Sequence, residues 1–195
     1  MAKIFRTVKQ QYENYCDVKA GALEVSNQLI CTAPLSADAS DSAAKIVRGS
    51  VVSLNEDGAF VLGCPVGAGN NYPMPMFSRK NAYDPDVMTG AVGAHTGEIL
   101  ADSIVGGQIP AYVASGAFEL ESSEFDAAGT YTVNTALKAA ANGKVTPAGS
   151  QTIYGTETIV GIVSKPPFRS QASFNVNGTG NNRICFWAVF FPGKA

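Results

Sequence analysis

Short apolar runs separated by glycine, asparagine and aspartate turns recur along most of this chain, a pattern of strands rather than helices. The first clear element lies in residues 45–64, KIVRGSVVSLNEDGAFVLGC. Val51, Val52 and Leu54 precede Asn55-Glu-Asp-Gly58, and Ala59-Phe-Val-Leu62 follow. Asp-Gly between such runs predicts a hairpin, because glycine takes the positive φ that the turn demands. Further on, Gly116-Ala-Phe-Glu-Leu-Glu121 alternates, which predicts a strand with Phe118 and Leu120 inside and Glu119 and Glu121 on a solvated face. Residues 130–133 and 144–146 predict a second hairpin, with one helical turn between them closed by Asn142-Gly143. Residues 156–164 read as a strand buried in part on both faces and stopped by Lys165-Pro-Pro167. The last strand, residues 183–191, ends at Pro192-Gly193. Within it Cys185, Trp187, Val189 and Phe191 alternate with Phe186, Ala188 and Phe190, so both faces are apolar, as in a strand buried on both sides or one at an oligomer seam.

Residues 1–45 differ. Val18, Leu23, Val25, Leu29 and Ile30 follow no steady period, and residues 32–44 are small and loop-like. They read as an extended N-terminal arm and loop, with a short helical turn near residues 8–16, ahead of a β domain over residues 46–195. The expected fold is mainly β with little helix: a compact β-barrel or β-sandwich of short strands with long loops.

Composition narrows the role. Only 15% of the 195 residues are charged, against about a quarter in ordinary globular domains. Net charge is −2 and no basic run exceeds Arg79-Lys80, so no footprint for phosphate neutralisation, and hence for nucleic acid, is visible. Low charge also weakens repulsion between copies, which suits a molecule packed in an assembly. No apolar run approaches the ~18 residues of a membrane-spanning helix, and the N-terminal residues lack the apolar core of a secretory signal. The cysteines at 16, 31, 64 and 185 have no metal-ligand spacing and read as reduced, buried, small apolar residues.

Candidate chemistry is sparse. His95 is the sole histidine and lies in Gly93-Ala-His-Thr-Gly97, a loop context; no Gly-x-Ser-x-Gly elbow occurs. Glu119 and Glu121 share a strand face and would suit calcium or a glycosidase pair, but a solvated strand face also explains them. Asp84 and Asp86 fit a turn around Pro85, and Gly67-Ala-Gly69 lacks the lysine of a phosphate loop. The expectation is a protein without catalysis, cofactor or metal.

Residues 72–87, YPMPMFSRKNAYDPDV, fit neither a helix nor a central strand, because three prolines interrupt them. Tyr72, Pro73, Met74, Pro75, Met76, Phe77 and Tyr83 are therefore the candidate interface with a partner protein or a second subunit. Methionine adapts to irregular surfaces and proline lowers the entropy lost on docking. The competing reading is that Met74, Met76 and Phe77 plug the protein's own core.

Four stretches carry a family likeness. They are Pro73-Met-Pro-Met-Phe77 with Asp84-Pro-Asp-Val87; Phe118-Glu-Leu-Glu121 with Phe125-Asp126; Tyr131, Asn134 and Leu137 with Asn142-Gly143 and Val145; and Val160-Gly-Ile-Val-Ser164 with Cys185-Phe-Trp-Ala-Val-Phe-Phe-Pro-Gly193. Over residues 49–193 this order resembles tailed-bacteriophage capsid decoration (cement) or head structural proteins. The resemblance implies a virion protein, made in the host cytoplasm, that binds the outside of the major capsid protein shell. It also implies self-association, as a trimer, and stabilisation of the head, with no nucleic-acid or membrane partner. The alternative is a receptor- or glycan-binding head-fibre or tail module; a hydrolase using Glu119 or Glu121 is a third.

Overall fold

The computed structural model describes residues 16–21, 30–33, 46–65, 73–79, 109–149, 155–169 and 182–193. The helical turn expected near residues 8–16, apart from Cys16, lies outside them. In chain order the strands are β1 (Cys16–Gly21), β2 (Ile30–Ala33), β3 (Val51–Leu54), β4 (Phe60–Leu62), β5 (Met76–Ser78) and β6 (Ile109–Val113). They continue with β7 (Phe118–Ser122), β8 (Ala136–Ala139), β9 (Val145–Pro147), β10 (Ile159–Arg169) and β11 (Asn182–Phe191). No helix occurs among the described residues.

The strands form two antiparallel sheets, one in the order β1-β7-β11-β10-β8-β9 and one in the order β2-β6-β5-β3-β4. Neither closes on itself or on the other, so of the two expected architectures the arrangement is sandwich-like rather than a barrel. From residues 1–45 the described strands are β1 and β2, which lie at the edge of one sheet each.

The sheets meet through aromatic side chains. Phe77 of β5 packs on Phe186 of β11 with ring centroids 5.2 Å apart, and Tyr112 of β6 packs on Phe118 of β7 at 5.8 Å. Val51, Leu120, Leu137, Val145, Val160, Val163 and Ile184 fill the space around them. The pleat sends successive residues to opposite faces. Thus Val52 and Met76, neighbours of Val51 and Phe77, join Ile46, Phe60 and Ala111 in a second cluster, and the five-stranded sheet is apolar on both faces.

Local chemistry explains the β3–β4 hairpin. The Asn55 side-chain oxygen accepts from the amides of Asp57 (3.1 Å) and Ala59 (2.9 Å), and Gly58 sits at φ 73°. Elsewhere tertiary pairing overrides local preference. Residues 130–133 form no strand: Thr135 N–H donates to the Thr132 carbonyl in a tight turn that holds Asn134 at φ 70°. The expected helical turn is instead strand β8, paired with β9 on one side and β10 on the other. Alanines 136 and 139 favour helix by propensity, but two ladders and the fully buried Leu137 outweigh a few tenths of a kcal/mol per residue.

Prolines 166 and 167 do not stop β10, which runs on to Arg169. β8 pairs only with residues 159–162, so one side of β10 has no described strand at the prolines, and on the other side neither proline has a register partner in β11. Register shifts on both sides of Lys165 absorb the irregularity. The closing strand also departs from expectation. Ile184, Phe186 and Ala188 are fully buried between the sheets, but Trp187 on the opposite face is 38% exposed.

One glycine makes the central contact possible. A Cβ on Gly161 would stand 2.7 Å from Cδ2 of Phe186, so only glycine lets that ring lie against β10. Gly161→Val is expected to lower unfolding free energy by about 3 kcal/mol or more, through overpacking in the core. Chemical denaturation of the variant beside the parent protein measures it; an unchanged midpoint would show that the ring is free to move away.

Candidate docking site

The candidate interface splits. β5 is hydrogen-bonded between β3 and β6, with Phe77 opposite both Val51 and Tyr112. Phe77 is 0% and Met76 2% exposed, one on each face of the sheet, so both belong to the protein's own core. That corrects the reading of these two as interface side chains: pairing on both sides turns a proline-flanked segment into a central strand. Pro73 and Pro75 are buried as well. The Pro75 carbonyl accepts from the Ala114 amide (3.1 Å), which ties the segment to the end of β6. Tyr72 and Tyr83 lie outside the described residues, as do Asp84, Asp86, His95 and Gly67-Ala-Gly69.

Met74 is different. It is 47% exposed between two buried prolines. Proline fixes φ on both sides, so the backbone that carries Met74 is held while its thioether chain keeps its rotamers. The result is an adaptable apolar knob on a rigid mount.

The two carboxylates of β7 also depart from expectation. Glu121 is only 4% exposed, although it points away from the inter-sheet core. β7 lies between β1 and β11 rather than at an edge, and the long side chains of both neighbours reach over it. Arg183 Nη1 donates to Glu121 Oε1 at 2.6 Å, and Lys19 Nζ lies 2.9 Å from Oε2. Glu119 accepts a hydrogen bond from the Ser164 hydroxyl. The alternation of β7 is legible in its sequence; the cations that neutralise Glu121 come from strands distant along the chain, so no local spacing announces them.

Burial by itself would push the Glu121 carboxyl up. Hydrogen bonds and charge from Arg183 and Lys19 outweigh it and hold the group below its ordinary value. Glu124 has the opposite balance: burial pushes it up, and the charge of Lys144 with a hydrogen bond from Ser123 offsets only part. Cys185, on the same face as Glu121, is pushed up to about 11 by burial and then by the charges of Glu121 and Glu119. Cys16 and Cys64 are pushed up to about 12 by burial. Those values keep the thiols protonated at neutral pH, which disfavours nucleophilic or metal-binding roles for them. Among the described residues no three His, Cys, Asp or Glu side chains gather as metal ligands. Engaged by two cations, Glu121 is not poised as an acid or nucleophile.

Sequence reasoning missed the exposure of Trp187. Its cross-strand neighbours are Glu119 on β7 and Ile162 on β10. A continuous apolar run hides which of its two faces the second sheet covers. Comparison with protein-family models, curated proteins and solved structures finds no match to this chain.

Two stability effects follow. Arg183→Met removes the more buried of the two cations on Glu121 and leaves Lys19 alone to hold it, with an expected cost of about 2 kcal/mol at neutral pH, and the double variant with Glu121→Met recovers most of it. Because Glu121 titrates below its ordinary value when folded, its contribution is present above that value and is lost as pH falls through the folded one. Glu124 works in reverse: ionised Glu124 costs stability at neutral pH, and the cost shrinks as pH falls from its raised value and is gone below its ordinary one. Glu124→Gln should therefore raise the urea midpoint at neutral pH, with the gain gone below about pH 4, as equilibrium unfolding at the two pH values would show.

Proposed function

We propose that the protein is a structural component of a tailed-bacteriophage virion that docks on the outer surface of the major capsid protein shell and stabilises the head. The observation that carries this reading is Met74: a 47% exposed apolar side chain on backbone clamped by two buried prolines. Such a mount loses little entropy on docking, and a methionine fits a surface that is not its exact complement.

Three further features support it. Among the described residues, the stretches with the family resemblance take in parts of β5, β7, β10 and β11 and of the β8–β9 hairpin. Two packed sheets make a stiff unit that transmits a docking contact without deforming. Low charge and a net charge of −2 let many copies sit side by side with little mutual repulsion. Binding only the assembled shell stabilises it by mass action, so a few kcal/mol per copy is enough when many copies act together. Self-association, for which the resemblance implies a trimer, belongs to the same proposal.

Purified protein should bind expanded shells that lack it and raise their melting temperature. Met74→Asp places a charge in the contact and should weaken shell binding at least tenfold, while the variant keeps the parent's denaturation midpoint. Co-sedimentation with shells reads the first and urea unfolding the second. Unaltered binding by Met74→Asp would remove Met74 from the interface; no binding by the parent protein at micromolar concentration would refute the docking role itself.

A further inference from the structure

The solvent side of the six-stranded sheet carries an arrangement that shell docking does not use. One row of register partners crosses it as Glu119 on β7, Trp187 on β11, Ile162 on β10 and Ala136 on β8. Glu119, Ile162 and Ala136 are half-buried, and Trp187 stands out of the row at 38% exposed. Asp17, Glu121, Cys185 and Lys165 make the adjoining row.

Charge on this face closes on itself. Among the described residues Asp17, Glu119, Glu121 and Glu157 stand against Lys19, Lys138, Lys165 and Arg183, four of each sign, with Lys138 paired to Glu157. Glu121 is held by Lys19 and Arg183, and the Lys165 ammonium lies 3.8 Å from the centre of the Phe168 ring. A ligand for this face therefore needs no net charge. Glu119 receives one hydrogen bond from Ser164, which fixes its carboxylate and leaves it further lone pairs to accept with.

Exposed apolar area decides between a large partner and a small one. A stable protein interface covers ~800 Å² on each side around a cluster of anchors. Among the described residues Trp187 is the exposed large apolar side chain of this face. At that exposure it offers roughly 60–90 Å², one indole face. That is the footprint of a single sugar ring, which presents polarised C–H groups on its flat side and hydroxyls around its rim.

We propose that Trp187 is the platform of a saccharide-binding site for a neutral pyranose. The ring stacks its C–H face on the negative face of the indole, and a rim hydroxyl donates to the Glu119 carboxylate beside it. Directly opposite residues on paired strands stand ~5 Å apart at Cβ, within reach of a hydroxyl next to the stacked face. Ser164, which gives its proton to Glu119, keeps its lone pairs for a second hydroxyl. The strands that hold these groups are already ordered, so little entropy is lost on binding. This inference does not rest on the capsid reading: Met74 precedes β5 of the five-stranded sheet, and Trp187 projects from the outer side of the other layer.

Trp187 is the chain's single tryptophan, so its own fluorescence reports the site directly. The full-length protein is titrated with glucose, galactose, mannose, rhamnose and N-acetylglucosamine, and applied to a glycan array that includes bacterial surface polysaccharides. Expected are a saturable emission change with at least one sugar and array binding by the parent protein. Glu119→Ala should weaken both at least tenfold, and Trp187→Ala should abolish the array signal. Met74→Asp should leave sugar binding unchanged, which separates failure here from failure of shell docking. Retained urea midpoints establish that the variants fold, and Glu119→Ala keeps the test open should Trp187→Ala not. The proposal is overturned if no sugar moves the emission and no array signal depends on Trp187. It is equally overturned if the protein self-associates through this face, shown by a dimer in sedimentation that Trp187→Ala dissolves.

Discussion

Contact between Phe77 and Phe186 joins the two layers of this protein, and much of the rest is arranged to permit it. One ring comes from a three-residue strand flanked by proline, the other from the longest apolar run in the chain. Their ring-to-ring attraction contributes about 1 kcal/mol beyond the burial of two aromatic surfaces. Its consequence is larger than that figure. Gly161 leaves β10 bare where Phe186 lies, and the β5 pairings hold Phe77 opposite Val51 and Tyr112. With these rings in register, the remaining core residues close around them.

This contact makes the two sheets unequal. The five-stranded sheet has apolar clusters on both faces and is interior throughout its centre. The six-stranded sheet mixes apolar side chains, Trp187 and Ile162 among them, with charged groups on its other face, and the charged groups are tied together rather than simply hydrated. Arg183 and Lys19 lie over Glu121, and Ser164 fixes Glu119. Among the described residues, ion pairs on this outer face order long side chains around an exposed indole. The proposed roles divide along the same line, with Met74 on the interior-type layer and Trp187 on the layer with a free side.

Much of the fold was legible in the sequence where local chemistry dictates it. The β3–β4 turn follows from Asn55 and Gly58, and β7 from the alternation of Phe118 and Leu120 with two glutamates. Failures cluster where a distant partner overrules the local signal. β8 is alanine-rich and helix-prone by itself, and becomes a strand because β9 and β10 lie on either side. Pro166 and Pro167 remain in β10 because no described strand asks for their missing amide hydrogens. The candidate site was partly visible: Met74 stood out among prolines, but nothing in YPMPMF tells which methionine enters the core.

The sequence by itself determined the class of structure, the position of most strands and the low charge that suits close packing of copies. Periodicity, turn residues and composition are local or summed quantities, and one chain read from end to end contains them. Only the tertiary structure decided which face of each strand is covered, which cations neutralise Glu121, and that Trp187 is left in solvent while Phe186 is not. Those outcomes depend on register between strands far apart along the chain. A shift of one residue exchanges the two faces of a strand, and an apolar run with equal faces carries no mark of which one the opposite sheet will cover.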